Sequence, residues 1–80
     1  MPSLLDRLQN VFRTAFNLPE NSNWNALIYG ETRGWDSVAH MALIAALEDE
    51  FDIMIDTDDV IDMSSFAKAR EILAKHGVTT

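Results

Sequence analysis

The chain of 80 residues has no cysteine. Neither a disulfide framework nor a thiolate metal site is therefore open to it, and any thiol chemistry would need sulfur from elsewhere. Its three glycines, Gly30, Gly34 and Gly77, stand far apart, so there is no glycine-rich phosphate cradle. No apolar run approaches membrane-spanning length, and Met1-Pro2-Ser3-Leu4-Leu5-Asp6-Arg7 lacks the cationic start and unbroken apolar stretch of a secretory signal. These features predict a cytoplasmic chain with no membrane insertion. Positive charge is scarce: six Lys and Arg face 13 Asp and Glu, for a net charge of −7. That balance opposes nucleic-acid binding, because phosphates would be repelled. Between Gly34 and Ala67 there is no Lys or Arg, while Asp36, Glu48, Asp49, Glu50, Asp52, Asp56, Asp58, Asp59 and Asp62 all lie inside. Such a run is either a solvated face or a docking surface for basic partners.

What is present is helical patterning over one domain spanning 1–80. A chain this short buries only about 60–65% of the surface its unfolded form exposes, so helix packing must supply the stability. Leu4, Leu5, Leu8, Val11, Phe12, Ala15 and Phe16 recur at three-and-four spacing, predicting a helix to about Asn17, with Ser3 and Asp6 as a capping box and Leu18-Pro19 as its stop. The Asn-rich stretch 20–35 carries Trp24, Leu27, Ile28 and Tyr29, which predicts a loop pinned across the bundle, with a short helical turn around 24–29.

From Ser37 to Phe51 a second helix places His40, Leu43, Ile44, Leu47 and Phe51 on one arc. The opposite side holds Val38, Ala39, Ala42, Ala45, Ala46 and Asp49, with Met41 at the boundary. That face suits either helix propensity alone or close approach by another protein. Ile53-Met54-Ile55 reads as a connector. Thr57-Asp58-Asp59 then reads as the cap and acidic start of a helix of one or two turns. Ser64 or Ser65 caps a last helix with Phe66, Ala69, Ile72, Leu73 and His76 inward and Lys68, Arg70 and Lys75 outward, closed by Gly77.

Several chemistries are excluded by spacing. Asp36, Ser37 and His40 are sequence neighbours, whereas a hydrolytic triad needs groups converging from separate elements beside an oxyanion hole. The Gly-x-Ser-x-Gly elbow is also missing. Asp56, Asp58, Asp59 and Asp62 resemble a calcium loop superficially, but its sixth position would be Ile61 and its twelfth Ala67. No metal site and no catalytic residue is assigned, and the chain reads as no enzyme in its own right. His40 reads as a packed, hydrogen-bonded histidine, with a role beside Ser37 as the alternative.

What remains is Gly34-Trp35-Asp36-Ser37-Val38. Asp-Ser at a helix start serves as a cap, but a helix N-terminus also suits a phosphate, and a serine there can carry a phosphodiester. Gly34 brings the backbone round and Trp35 is expected to lay an aromatic surface beside the site. Together with Leu43-Ile44-Ala45-Ala46-Leu47-Glu48-Asp49-Glu50-Phe51-Asp52-Ile53, Ile55 and the Ser-capped last helix, this stretch resembles the acyl carrier protein family over most of the chain.

The resemblance implies an all-α, right-handed up-down four-helix bundle with a long first loop and a short third helix. It implies that Ser37 receives 4'-phosphopantetheine from coenzyme A through a phosphopantetheinyl transferase, with Asp36 assisting the modification. An acyl group would ride as a thioester on the arm, passing between acyl-activating and acyl-transfer enzymes of fatty acid, polyketide or other specialised-metabolite biosynthesis. Trp35, Val38, Met41, Ala45, Glu48, Asp49, Asp56 and Asp59 are the expected partner contacts of a monomer. Ala39 and Ala42 stand where acids are common in that family, and Trp35 where a small residue is common. That departure points to a specialised stand-alone member and leaves two alternatives, an aminoacyl or peptidyl carrier and an unmodified interaction domain. Leu47, Ile55 and Ile61 read as plain packing, with a chain-sheltering cavity as the alternative.

Overall fold

A capping box starts the first helix: the Ser3 hydroxyl accepts from the Asp6 amide at 3.0 Å and the Asp6 carboxylate from the Ser3 amide at 3.4 Å. The structure, a computed structural model, describes residues 3–19 and 22–80. Within them lie α1 (Leu4–Phe16), a 3-10 turn (Trp24–Ala26), α2 (Ser37–Phe51), α3 (Thr57–Asp62) and α4 (Phe66–Lys75). The architecture is a small helical bundle. Among the described residues the one β contact is an isolated antiparallel bridge between Ile28 and Ser65. The expected helix around 24–29 is thus confined to 24–26, because Ile28 and Tyr29 are drawn into extended pairing with the segment before α4.

Three helices stop in the same manner. Asn17 and Asp52 adopt left-handed conformations at φ 55° and 53°, and Gly77 does so at φ 83°. The next amide in each case reaches back to a carbonyl of the last turn: Leu18 to Arg13 at 3.0 Å, Ile53 to Glu48 at 3.2 Å and Val78 to Leu73 at 2.9 Å. α1 therefore ends at about Asn17 as expected, with the left-handed Asn17 forming the cap just ahead of Leu18-Pro19. At α3 the cap position is Asp56 rather than Thr57, which is already helical, and no side chain caps it.

α1 and α2 run antiparallel. Arg7 near the start of α1 donates to the Glu50 carboxylate at 2.7 Å and the Glu50 carbonyl at 2.6 Å, and its guanidinium lies 5.0 Å from the centre of the half-buried Phe51 ring. At the other end Phe16 stacks on Trp35 with ring centres 4.9 Å apart. Phe12 is the hub, meeting Phe16, Trp35 and Phe66 edge-on at 5.7, 5.6 and 4.9 Å. Leu8, Leu43, Leu47, Met63 and Leu73 complete the interior, each side chain contributing about 1.5–3 kcal/mol by leaving water.

α3 is too short to stand by itself and is tied down by polar groups. Asp59, expected on the surface as a partner contact, is 4% exposed and takes Lys75 Nζ at 2.6 Å, with His76 Nε2 at 3.7 Å. The physical reason is that one turn of α3 faces the end of α4, where an otherwise outward lysine bends over to neutralise it. The hydrogen bond from Lys75 holds the Asp59 carboxyl below the usual carboxylate range against the opposing effect of burial, and the same bond raises Lys75 above its ordinary value.

A lowered carboxyl stabilises fully above its unfolded pKa of about 4 and loses that contribution as pH falls through the lowered value. The raised lysine contributes below its unfolded value and loses it as pH rises through the raised one. Lys75→Met should therefore be less stable than wild type near neutrality, and the gap should narrow as the medium is acidified. Urea midpoints across that range measure it; a gap that does not change with pH would remove Asp59 as its source.

Candidate functional site

The segment leading into α2 is a closed turn. Ile28 accepts at its carbonyl from the amides of Glu31 and Thr32, at 3.1 and 2.9 Å, and donates to the Thr32 hydroxyl at 2.8 Å. The Trp35 amide donates to the Thr32 carbonyl at 3.0 Å, and the Gly30 amide to the Trp35 carbonyl at 3.1 Å. The turn is fixed to the bundle by the Tyr29 amide, which donates to the Ser64 carbonyl at 2.8 Å. Gly34 is required where it stands: its φ is 90°, and a Cβ would meet the Phe16 carbonyl oxygen at 3.1 Å.

Trp35 follows with its side chain turned inward. It is 2% exposed, packed on Phe12 and Phe16, so the surface and partner-contact roles expected of it are corrected. The aromatic pair from α1 offers the indole a better environment than water does, and its one polar atom finds a partner inside. Trp35 Nε1 donates to His40 Nδ1 at 3.0 Å. The imidazole proton therefore sits on Nε2, which donates to the Val60 carbonyl of α3 at 2.7 Å. Both ring nitrogens of this buried histidine are thus occupied by the bundle.

Asp36 caps α2, its carboxylate accepting from the Ala39 amide at 2.9 Å. Ser37, the first helical residue, is exposed. The amides of Ser37 and Val38, which have no carbonyl to reach within the helix, make no hydrogen bond to a described residue. The Tyr29 hydroxyl meets Ser37 Oγ at 3.2 Å. This contact was not legible in the sequence, where Tyr29 was only one of the apolar pins of the loop.

The remaining expected partner contacts divide. Val38 and Met41 are 81% and 58% exposed, and Ala45, Asp49 and Asp56 are also on the surface. Glu48 is half-buried and its carboxylate is engaged, accepting from the Ile55 amide at 2.9 Å. Asp59 faces inward, which separates it from Asp56, Asp58 and Asp62, all of them exposed. Of the residues read as packing, Leu47 and Ile55 are buried whereas Ile61 is 73% exposed. Ile61 lines a cleft of about 290 Å³ with Tyr29, His40, Val60, Met63 and Ser64. A second groove, of about 360 Å³, runs along Val11, Ala15, Ala42 and Ala46 with Asp49 and Glu50 at its rim.

No family model, curated protein or solved structure matches this chain. Among the described residues, no three His, Cys, Asp or Glu side chains converge as metal ligands, and no helix is long and apolar enough to cross a membrane.

Two substitutions test the scaffold behind Ser37. Trp35→Phe strands His40 Nδ1 without a donor and leaves a void, which should cost about 2–4 kcal/mol. Denaturant unfolding measures it; a loss below ~0.5 kcal/mol would mean that the indole-imidazole bond contributes nothing. Gly34→Ala forces an unfavourable backbone conformation and a close contact with Phe16, for an expected loss of at least ~1 kcal/mol. Thermal melts of the two proteins, compared at one pH, decide that point.

Proposed function

We propose that this protein is a carrier of acyl-carrier type, bearing its cargo as a thioester on 4'-phosphopantetheine attached to Ser37. The observation that supports the reading most is the placement of Ser37: an exposed hydroxyl on the first residue of a rigid helix, directly after a capping aspartate and in front of an anchored Trp35-His40 pair. The residues present fit an anionic phosphodiester there. The amides of Ser37 and Val38 point along the positive end of α2, and the carboxylate of Asp36 already spends one oxygen on the Ala39 amide.

In this reading Ser37 Oγ forms the bond to phosphorus, the phosphoanhydride to the adenosine bisphosphate of coenzyme A breaks, and the serine proton passes to a base of the transferase. Asp36, exposed beside Ser37, is the group available to the transferase and its metal ion. The arm, once attached, supplies the thiol that the chain lacks. The protein itself would present one cargo to successive enzymes through weak, releasable docking. Val38, Met41 and Ala45 form the exposed apolar side of α2, and Asp49 and Asp56 supply charge for basic partners.

A second reading within the same class, an aminoacyl or peptidyl carrier, is favoured by the reduced acidity of α2, where Ala39 and Ala42 stand in place of acids. Loading of the modified protein by amino-acid activating enzymes, and by none that activate fatty acids, would select it.

Co-expression with a broad-specificity phosphopantetheinyl transferase, followed by intact mass measurement, should give one phosphopantetheine increment on wild type and none on Ser37→Ala. An unmodified wild type, or an increment that survives in Ser37→Ala, would defeat the carrier reading. In the first case the unmodified interaction domain takes its place.

A further inference from the structure

The Tyr29 hydroxyl has no structural task that explains its position. Its ring is packed edge-on against His40 and Trp35, at 5.1 and 6.2 Å with interplanar angles of 78° and 82°. Its backbone is fixed to Ser64. The oxygen, however, is carried outward to a second exposed hydroxyl, that of Ser37, at 3.2 Å. Two exposed hydroxyls exchange this bond with water at almost no net gain, so the pairing is not explained by stability. It does place a neutral donor, on a rigid mount, at the atom proposed above to bear the arm.

We propose that Tyr29 is the positioning residue for the root of the arm, its hydroxyl donating to an unesterified oxygen of the phosphodiester on Ser37. This inference rests on the carrier reading of Ser37. Esterification removes the only proton Ser37 Oγ can donate and leaves a weak acceptor in its place. Tyr29 keeps its own proton, and the nearest strong acceptors become the anionic oxygens one bond beyond the phosphorus. A bond of neutral donor to anionic acceptor is shorter and stronger than the hydroxyl pair it replaces. Local charge makes the donor useful. The adjacent Asp36 is acidic, and the exposed Arg33 is the one Lys or Arg between Arg13 and Lys68, so few cations near Ser37 in the chain are available to the phosphodiester.

Tyr29 also forms one wall of the cleft that includes Val60, Ile61 and Ser64. A phosphodiester fixed to its hydroxyl sets the direction in which the arm leaves Ser37 relative to the mouth of that cleft.

The test compares wild type with Tyr29→Phe, which keeps the ring and its packing. Both are modified with excess transferase and coenzyme A, checked by intact mass, and examined by phosphorus NMR folded and in urea. Folded wild type should show a phosphodiester resonance displaced from its unfolded position, and Tyr29→Phe should lose most of that displacement. A second readout needs no Tyr29 variant. The chain has one tyrosine, so its Raman hydroxyl-bonding doublet reports Tyr29 alone and should move toward the strong-donor pattern when the arm is added.

Equal phosphorus displacement in the two proteins, or an unchanged doublet, overturns the inference while leaving the carrier reading intact. A folded Tyr29→Phe that takes no arm also overturns it, because a donor to the finished phosphodiester is not needed for its formation. No mass increment on wild type removes both.

Discussion

The hydrogen bond from Trp35 Nε1 to His40 Nδ1 is the constraint on which the rest of the molecule depends. It converts an indole that would otherwise bury an unpaired donor into a fully satisfied core residue, and it fixes the histidine tautomer. With Nδ1 accepting, Nε2 must donate, and the acceptor within reach is the Val60 carbonyl of α3. One bond near the start of α2 therefore determines where α3 can dock. It also determines what lies outside: with Trp35 pulled onto Phe12 and Phe16, the chain can place Asp36 as a cap and Ser37 at the surface.

The division between buried support and exposed chemistry follows. Aromatic side chains from α1, the loop and α4 form the interior, and Tyr29 spans the boundary, its ring against His40 and its hydroxyl at Ser37. The acids of the middle of the chain are likewise sorted. Asp49 and Asp56 remain in water, Glu48 holds the connector after α2, and Asp59 is spent on Lys75. A negative stretch that looks uniform in sequence thus has only part of its charge available to a partner.

Helix existence and the core arc of α2 were legible because apolar spacing and cap residues are local signals: Ser3, Asp36 and Ser65 each cap where the chain pattern changes. The direction of Trp35 was not, since an aromatic next to a helix cap can face either way and the choice is made by Phe12 and Phe16, far away in sequence. Asp59 escaped for a similar reason. A six-residue helix is too short for its inward side to be read from periodicity, and its counter-ion lies 16 residues on. Tyr29 reaches Ser37 only through a turn whose bonds involve backbone atoms of 28–35 and of Ser64, which no residue pattern specifies.

α3 also has a thermodynamic identity of its own. It contributes no ring to the aromatic interior, and its docking relies on one ion pair, one carbonyl, the partly buried Val60 side chain and the neighbouring Met63. Within the helix Asp59 alone is buried and Val60 is the side chain packed on the core, so α3 shares less apolar surface with the interior than α1, α2 or α4 does. The free energy of opening α3 away from the bundle is accordingly a fraction of the global unfolding free energy. Such an opening would also take the Val60 carbonyl away from His40 Nε2, so the polar relay behind Ser37 would loosen together with α3.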